Sequence, residues 1–327
     1  MRSEFLYFLT SPGSERALKA EVSREKLGWV PAYARPGFVT MKVSAGPIEA
    51  LLPYEPVFAR AFGLSFGKYS PDTVETELVR VATEANGEPI LRVLPRTEEL
   101  APQAAELEKK LQTRLPKISR PRSAEAVVID VVVVGPTELW LGARVFQGAL
   151  RPAAPGMLAP EPAPSRAYLK LHELVSWSGF VLRPGQRAVE VGVSPGGAAY
   201  YLLEQGLEVL GIDPAEVEEP VRSHPRFRHL KKSFSLLEPK ELPTDFDWLL
   251  IDVNAAPPVA LKAVDMLSKR ARGLRGLLLT LKLKDARAED AVPHALADLR
   301  ALGFKDVRAA QLSSHRREIG VIARYST

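Results

Sequence analysis

From residue 187 onward, short apolar runs alternate with helical patterns, and no other feature of the sequence restricts the fold as much. Runs at 187–192, 208–212, 248–253, 277–283 and 319–323 are each five to seven residues long, with helical stretches between them. Alternation of this kind implies a largely parallel sheet with helices on both faces. The segments 305–312 and 319–323 are joined too closely for a parallel crossover and are expected to form an antiparallel hairpin.

Upstream the rhythm is that of α+β structure. Residues 5–9, 15–27 and 37–43 read as strand, helix and strand, and a further helix is expected over 47–61, interrupted at Pro53 and Pro56. A second unit follows, with a strand at 91–94, a helix at 98–115 and the β-branched run 126–134, turned by Gly135-Pro136 into 138–145. Between these regions Pro152, Pro155, Pro160, Pro162 and Pro164 fix φ and remove backbone donors, the mark of a linker or strap. The expected division is therefore 1–67, 68–147, a proline-rich linker at 148–164, and 165–327. A chain of 327 residues has room for two or three domains at about 150 residues each.

Composition removes several chemistries. The absence of cysteine excludes disulfides, thiolate-bound zinc, iron–sulfur clusters and thiol nucleophiles. His172, His224, His229, His294 and His315 show no metal-ligand spacing, so no metal is expected. Phe5 to Leu9 is shorter than a signal-peptide core, and no run approaches the roughly 20 apolar residues of a membrane helix. The expectation is a soluble, cytoplasmic protein, taken as a monomer. Its formal charge of +5 is informative only where cations cluster.

Residues 188–197, Ala-Val-Glu-Val-Gly-Val-Ser-Pro-Gly-Gly, form a strand that ends in a glycine-rich turn and opens a helix. Gly192, Gly196 and Gly197 let the backbone approach a ligand without a Cβ in the way, at the end of the first strand of a doubly wound sheet. The spacing departs from G-x-G-x-x-G, which disfavours NAD. Asp213 closes the next strand some twenty residues on, where a carboxylate can accept both hydroxyls of an adenosine ribose. Together these suggest S-adenosylmethionine. The bland alternative is an ordinary strand-helix turn followed by a capping Asp.

Four charged residues stand at element ends around this turn. Lys170 lies in a helix that Ser165 is placed to cap, Asp252 ends an apolar strand, Lys282 ends another, and Glu318 opens the last. Carboxyl ends of parallel strands face the crevice where ligands bind in open α/β sheets. Taken alone, Lys282 reads as the wet face of a half-buried strand with Thr280 and Lys284.

The order Ser-Arg-Ala-x-x-Lys-Leu, x-Pro-Gly-Gly, Asp after the fourth strand, Leu-Lys-Leu and Arg-Glu-Ile resembles the FtsJ-type ribose 2′-O-methyltransferases with their Lys-Asp-Lys-Glu tetrad. The resemblance runs from Pro164 to Arg324. Ala163-Pro164-Ser165-Arg166 with Glu173, Leu281-Lys282-Leu283, and Gln311-Leu312 through Arg317-Glu318 look most like members that methylate a cytidine ribose of 23S ribosomal RNA. Upstream, Ser11-Pro12-Gly13-Ser14-Glu15 and the strands of 127–145 are similar to that group's ferredoxin-like and THUMP domains.

The resemblance implies a Rossmann-like, S-adenosylmethionine-dependent methyltransferase domain behind ferredoxin-like and THUMP-like RNA-binding domains. It implies Lys170, Asp252, Lys282 and Glu318 as catalytic residues. Ser165, Gly192, Ser194, Pro195, Gly196, Gly197, Asp213, Ser233 and Asp252 are the implied cofactor contacts. Glu190 and Ala198 replace the usual Asp and Trp of the turn, and Lys232-Ser233 stands where an Asp is usual.

A ribose hydroxyl is a poor nucleophile at neutral pH, so its proton must be taken or its developing charge stabilised. With Lys170 close to Lys282, like-charge repulsion and burial are expected to lower the Lys282 pKa and make it the base; the alternative is a charged Lys282 acting on the oxyanion. C5 methylation of a pyrimidine needs a cysteine. Exocyclic amine methylation uses an Asp/Asn-Pro-Pro-aromatic turn, where this chain has Asp252-Val253-Asn254-Ala255. RNA is the expected partner, through Lys109, Lys110, Arg114, Lys117, Arg120 and Arg122 and a second group at Arg222, Arg226, Arg228, Lys231 and Lys232, although each cluster alone could be a solvated face. A rival reading is a non-catalytic RNA-binding or ribosome-assembly protein on the same scaffold, or a 2′-O-methyltransferase of another RNA. The altered turn motivates the rival and the retained tetrad favours catalysis.

Overall fold

The computed structural model describes residues 2–47, 54–84, 89–114, 127–145, 159–283, 288–315 and 317–325. The chain divides into two compact units, Met1–Gly156 and Met157–Thr327. Among the described residues no helix is long and apolar enough to cross a membrane.

The first unit runs β1 (Arg2–Leu9), α1 (Glu15–Arg24), β2 (Val30–Arg35), β3 (Phe38–Pro47), β4 (Ala61–Tyr69), α2 (Val74–Glu84), β5 (Ile90–Pro95), α3 (Ala101–Gln112), β6 (Val127–Gly135) and β7 (Glu138–Val145). All seven strands form one sheet in the order β2-β3-β1-β4-β7-β6-β5, parallel only between β5 and β6. The division expected at 67/68 falls inside β4, which pairs with β1 on one edge and β7 on the other. The two stretches are thus joined by a shared strand.

The helix expected over 47–61 is absent from described residues 54–60. Buried Glu21 of α1 draws that backbone in, accepting from Tyr54 Oη at 2.6 Å and Val57 N at 2.7 Å. Pro56 denies the segment a helical donor as well.

Every residue of β6 is buried, because apolar layers cover both of its faces. Ile129, Val131 and Val133 pack with Leu78 of α2 and Leu107 of α3, while Val132 and Val134 join Tyr7, Leu9 and Phe38. Asp130 shares this strand at 0% exposure. Arg92, its partner across the parallel pair, neutralises it through Nε at 2.7 Å and Nη2 at 2.8 Å, and Tyr7 Oη donates to the same carboxylate. A buried carboxylate is tolerable only when paired in this way.

The second unit runs α4 (Ala167–Ser178), β8 (Arg187–Val191), α5 (Gly197–Glu204), β9 (Glu208–Ile212), β10 (Phe227–Leu230), β11 (Trp248–Ile251), α6 (Pro257–Ser268), β12 (Gly276–Lys282), α7 (Ala288–Ala301), β13 (Phe304–Ala310) and β14 (Glu318–Tyr325). Its sheet is ordered β10-β9-β8-β11-β12-β14-β13, parallel through β12, with β14 antiparallel to both neighbours. The expected hairpin is β13–β14. Between β9 and β11 the described chain carries β10 and short 3₁₀ turns in place of an expected helix. Strand order reverses beside β8, where β9 lies on one side and β11 on the other, so the carboxyl ends of β8 and β11 border a ligand crevice.

Candidate active site

The sheet brings the four charged residues together. Lys282 ends β12 and Glu318 opens β14, and the antiparallel register pairs them directly. Asp252 follows β11, the other neighbour of β12. Lys170 sits in the first turn of α4, which approaches β14 so closely that a Cβ on Gly320 would lie 2.5 Å from Leu174.

The resulting contacts alternate in sign around a ring. Lys282 Nζ donates to Asp252 Oδ1 at 2.7 Å and Glu318 Oε1 at 2.9 Å. Lys170 Nζ lies 2.7 Å from Glu318 Oε2 and 3.5 Å from Asp252 Oδ2. The side chains are 12–18% exposed, enough to meet a substrate and buried enough for charge to act strongly.

This geometry corrects the expected lowering of the Lys282 pKa. Burial does oppose its charge, but Asp252 and Glu318 outweigh it and push the ammonium above its ordinary range. Burial likewise opposes ionisation of Asp252 and Glu318, and Lys170 and Lys282 overcome it to hold both carboxyls low. Lys170 is no repelling neighbour, because the carboxylates stand between the two ammonium groups.

Two residues outside the tetrad hold its framework. Glu173, buried in α4, accepts from Ser314 N at 2.9 Å and Ser314 Oγ at 2.5 Å, anchoring the segment that leads to Glu318. His315, 0% exposed, accepts from Leu312 N at 3.2 Å, and burial pushes its pKa down to about 4. Lys170, Asp252, Lys282 and Glu318 all act electrostatically on it. A histidine depressed in this way binds its proton in the unfolded chain first. Its contribution of about 3 kcal/mol is complete above pH ~6.5 and is lost as pH falls from there toward 4. Melting temperature measured between pH 7 and 4.5 should fall in wild type and fall less in His315→Asn. The lowered Asp252 and Glu318 contribute stability present above their unfolded pKa, lost only at lower pH as they protonate; the Lys282 contribution is lost in alkali.

Beside the ring lies the glycine turn. Gly192 adopts φ +89°, and a Cβ there would lie 2.5 Å from the Asp252 carbonyl oxygen. Gly196, the N-cap of α5, adopts φ +118°, and a Cβ on Gly197 would overlap Ser165 Oγ. Asp213 ties the turn to β9, accepting from Ser194 N at 3.2 Å and Ala215 N at 2.8 Å. Ser194 Oγ donates to Glu216 O at 2.7 Å, and Pro195 O accepts from Glu218 N at 2.9 Å. Ser165 Oγ accepts from Ala167 N at 3.3 Å, while the N-cap position of α4 is taken by Arg166. Ser233 bonds to Ser235 at 2.9 Å, and no hydrogen bond among the described residues ties it to the turn.

These residues fit S-adenosylmethionine. Each Asp213 oxygen retains a lone pair for a ribose hydroxyl after meeting one backbone N–H. Glu190, 1% exposed, presents an oxygen with no protein hydrogen bond to a small space lined also by Lys170, Asp252 and Thr280. Burial, then the neighbouring Asp252 and Asp213 carboxylates, push its pKa well above the usual carboxylate range. An ammonium group brought near would favour its ionised form. Among the described residues no cluster of three metal-ligating side chains occurs.

Residues 163–288 match the family model of FtsJ-like methyltransferases. Over that stretch the C-terminal unit is similar to the FtsJ-like methyltransferases. The chain is 32% identical over 195 residues to ribosomal RNA large subunit methyltransferase M of Halorhodospira halophila, covering 58% of this chain and 53% of that protein. The protein of the same name from Alkalilimnicola ehrlichii is 31% identical over 230 residues, 64% of this chain and 61% of its own. That from Cellvibrio japonicus is 27% identical over 296 residues, 82% and 81%. Matched stretches thus span a little over half of the first two relatives. In this unit Glu190, Glu173 and His315 give weak sequence signals. Only burial reveals that the first has its ionisation opposed and that the other two brace the ring.

The proposed RNA contacts fare unevenly. Lys117, Arg120 and Arg122 lie outside the described residues. Lys109 and Lys110 are exposed on α3, whereas Arg114 pairs with Glu75 at 3.0 Å. In the second group Arg222, Lys231 and Lys232 pair with Glu219, Glu216 and Glu241, which reduces their use as free phosphate contacts.

Proposed function

We propose that the protein transfers a methyl group from S-adenosylmethionine to a ribose 2′-hydroxyl of large-subunit ribosomal RNA, on a cytidine of the 23S molecule. The alternating ring of Lys170, Asp252, Lys282 and Glu318 beside the glycine turn carries this reading. When bound, the cofactor supplies an electrophilic methyl on a sulfonium.

Lys282 spends two of its three N–H donors on Asp252 and Glu318 and keeps one for the hydroxyl oxygen. Held charged by those carboxylates, it stabilises negative charge developing on that oxygen. The hydroxyl proton, acidified as the C–O bond forms, is left to a ring carboxylate or water. A base role for Lys282 requires that it first lose its own proton. The two roles differ in pH dependence. With a charged Lys282 the single-turnover rate stays level through neutral pH and drops in alkali as the ammonium is lost. A rate climbing tenfold per pH unit into the alkaline range would restore the base.

Labelled S-adenosylmethionine and total RNA lacking the modification, followed by mapping of the labelled nucleotide, test the proposal. Label at a cytidine 2′-oxygen of 23S RNA is the expected result. Label on a base, or none with cofactor binding intact by calorimetry, overturns it; the latter outcome returns the scaffold reading.

A further inference from the structure

In the first unit a groove of about 540 Å³ runs between the end of α1 and the edge strand β2, lined by Lys19, Val22, Lys26, Trp29, Val30 and Met41, among others. No acidic side chain is among its described lining residues. Lys19 and Ser23, four residues apart, share the face of α1 that borders it, and Lys26 lies one further turn along. Glu21, on the helix flank, is committed to Tyr54 and Val57. Trp29 is half-buried on Phe8, ring centroids 5.6 Å apart, and still contributes surface to the groove.

Lys26 is the odd residue. The end of α1 closes in a Schellman pattern, with Lys26 N donating to Ser23 O at 3.2 Å and Leu27 N to Val22 O at 3.3 Å. This pattern places a left-handed residue just past the helix, a position glycine usually fills. Here a lysine holds φ +52°. Left-handed backbone costs a non-glycine residue about 1 kcal/mol or more, so the ammonium at the groove rim comes at a local cost in stability.

We infer that this groove binds single-stranded RNA, one base stacking on Trp29 while Lys19 and Lys26 meet flanking phosphates. Paired cations around an aromatic surface, with no acid to repel a polyanion, are what single strands require. The inference rests on the RNA reading above and adds a contact site remote in sequence from the ring.

The test uses the full-length protein and a fluorescein-labelled twelve-residue oligouridylate. Anisotropy titrations across a salt series should show Lys19→Ala/Lys26→Gly binding at least about tenfold weaker, with the slope of log K against log salt reduced by about 1.4, as expected for two single-strand phosphates. Lys26→Gly alone should keep or raise the melting temperature, since it relieves the left-handed lysine, while still weakening RNA binding. Oligouridylate should quench Trp29 emission, and Trp29→Phe should remove that part of the quench. Unchanged affinity and slope in the double variant, or no binding by wild type, overturns the groove. Methyl incorporation into 23S RNA, followed in parallel, separates the two readings: incorporation with unchanged KM in the double variant sinks the groove alone. No incorporation by wild type that still binds oligouridylate sinks the proposed reaction alone.

Discussion

Lys282→Ala should lower methyl transfer by roughly a thousandfold or more while S-adenosylmethionine still binds within a few-fold of wild type. The expectation follows from where Lys282 spends its donors. It is hydrogen-bonded to both carboxylates of the ring, and its remaining N–H is the donor assigned to the hydroxyl oxygen. Removing a preorganised charge from a largely buried site costs about 10²–10³ in rate, and losing proton handling as well raises the figure. Some destabilisation accompanies the change, because Asp252 and Glu318 then share Lys170 alone. Melting temperature separates this from chemistry. Lys282→Arg keeps the charge but replaces a compact ammonium with a planar fork, and should recover stability more than turnover. Turnover within about tenfold of wild type in folded Lys282→Ala would remove Lys282 from the reaction.

Gly192→Ala should be nearly as severe by a different route. The residue stands at φ +89°, and its added Cβ would meet Asp252 O at 2.5 Å, Asp252 C at 2.8 Å and Val253 N at 3.1 Å. All three obstacles are backbone, so no rotamer change relieves them. We expect a loss of about 2–4 kcal/mol in stability, from left-handed strain and displaced backbone, and at least a hundredfold weaker cofactor binding. Gly185→Ala is the control: its φ is +81° and nothing lies within 4 Å of the added Cβ. It should show the strain alone, about 1 kcal/mol, with cofactor affinity retained. Calorimetry and thermal melting on both variants measure the difference, and equal effects would mean that the close approach to Asp252 carries nothing.

The parts of the fold legible in the sequence are those with unbroken apolar runs. β9 and β12 announce themselves because both faces of each strand are covered. β10, Phe-Arg-His-Leu, does not, because an edge strand with one outward face needs no apolar run. β2 begins Val-Pro and is exposed at nearly every residue, so its pattern shows neither alternation nor a core. The shared sheet of the first unit was hidden for another reason. β4 is half glycine and polar residues, and only its pairing on both edges shows that it joins two stretches that read as separate.

The candidate site was legible as four charged residues at element ends, but its electrostatics were not. Two lysines near a crevice suggest repulsion, whereas the outcome depends on which carboxylates lie between them. That order comes from β14 entering beside β12 in a register that sets Glu318 opposite Lys282. Glu190 is similar. Its letter shows an acid, and only burial beside Asp252 shows that its ionisation is opposed.

Strand β14 follows β13 in sequence but lies between β12 and β13 in the sheet. A chain made from its N-terminus therefore contains Lys170, Asp252 and Lys282 before the residue that bonds to both lysines has been added. On the reading proposed above, the ring of alternating charge cannot close until residue 318 has been added and its strand has paired with β12.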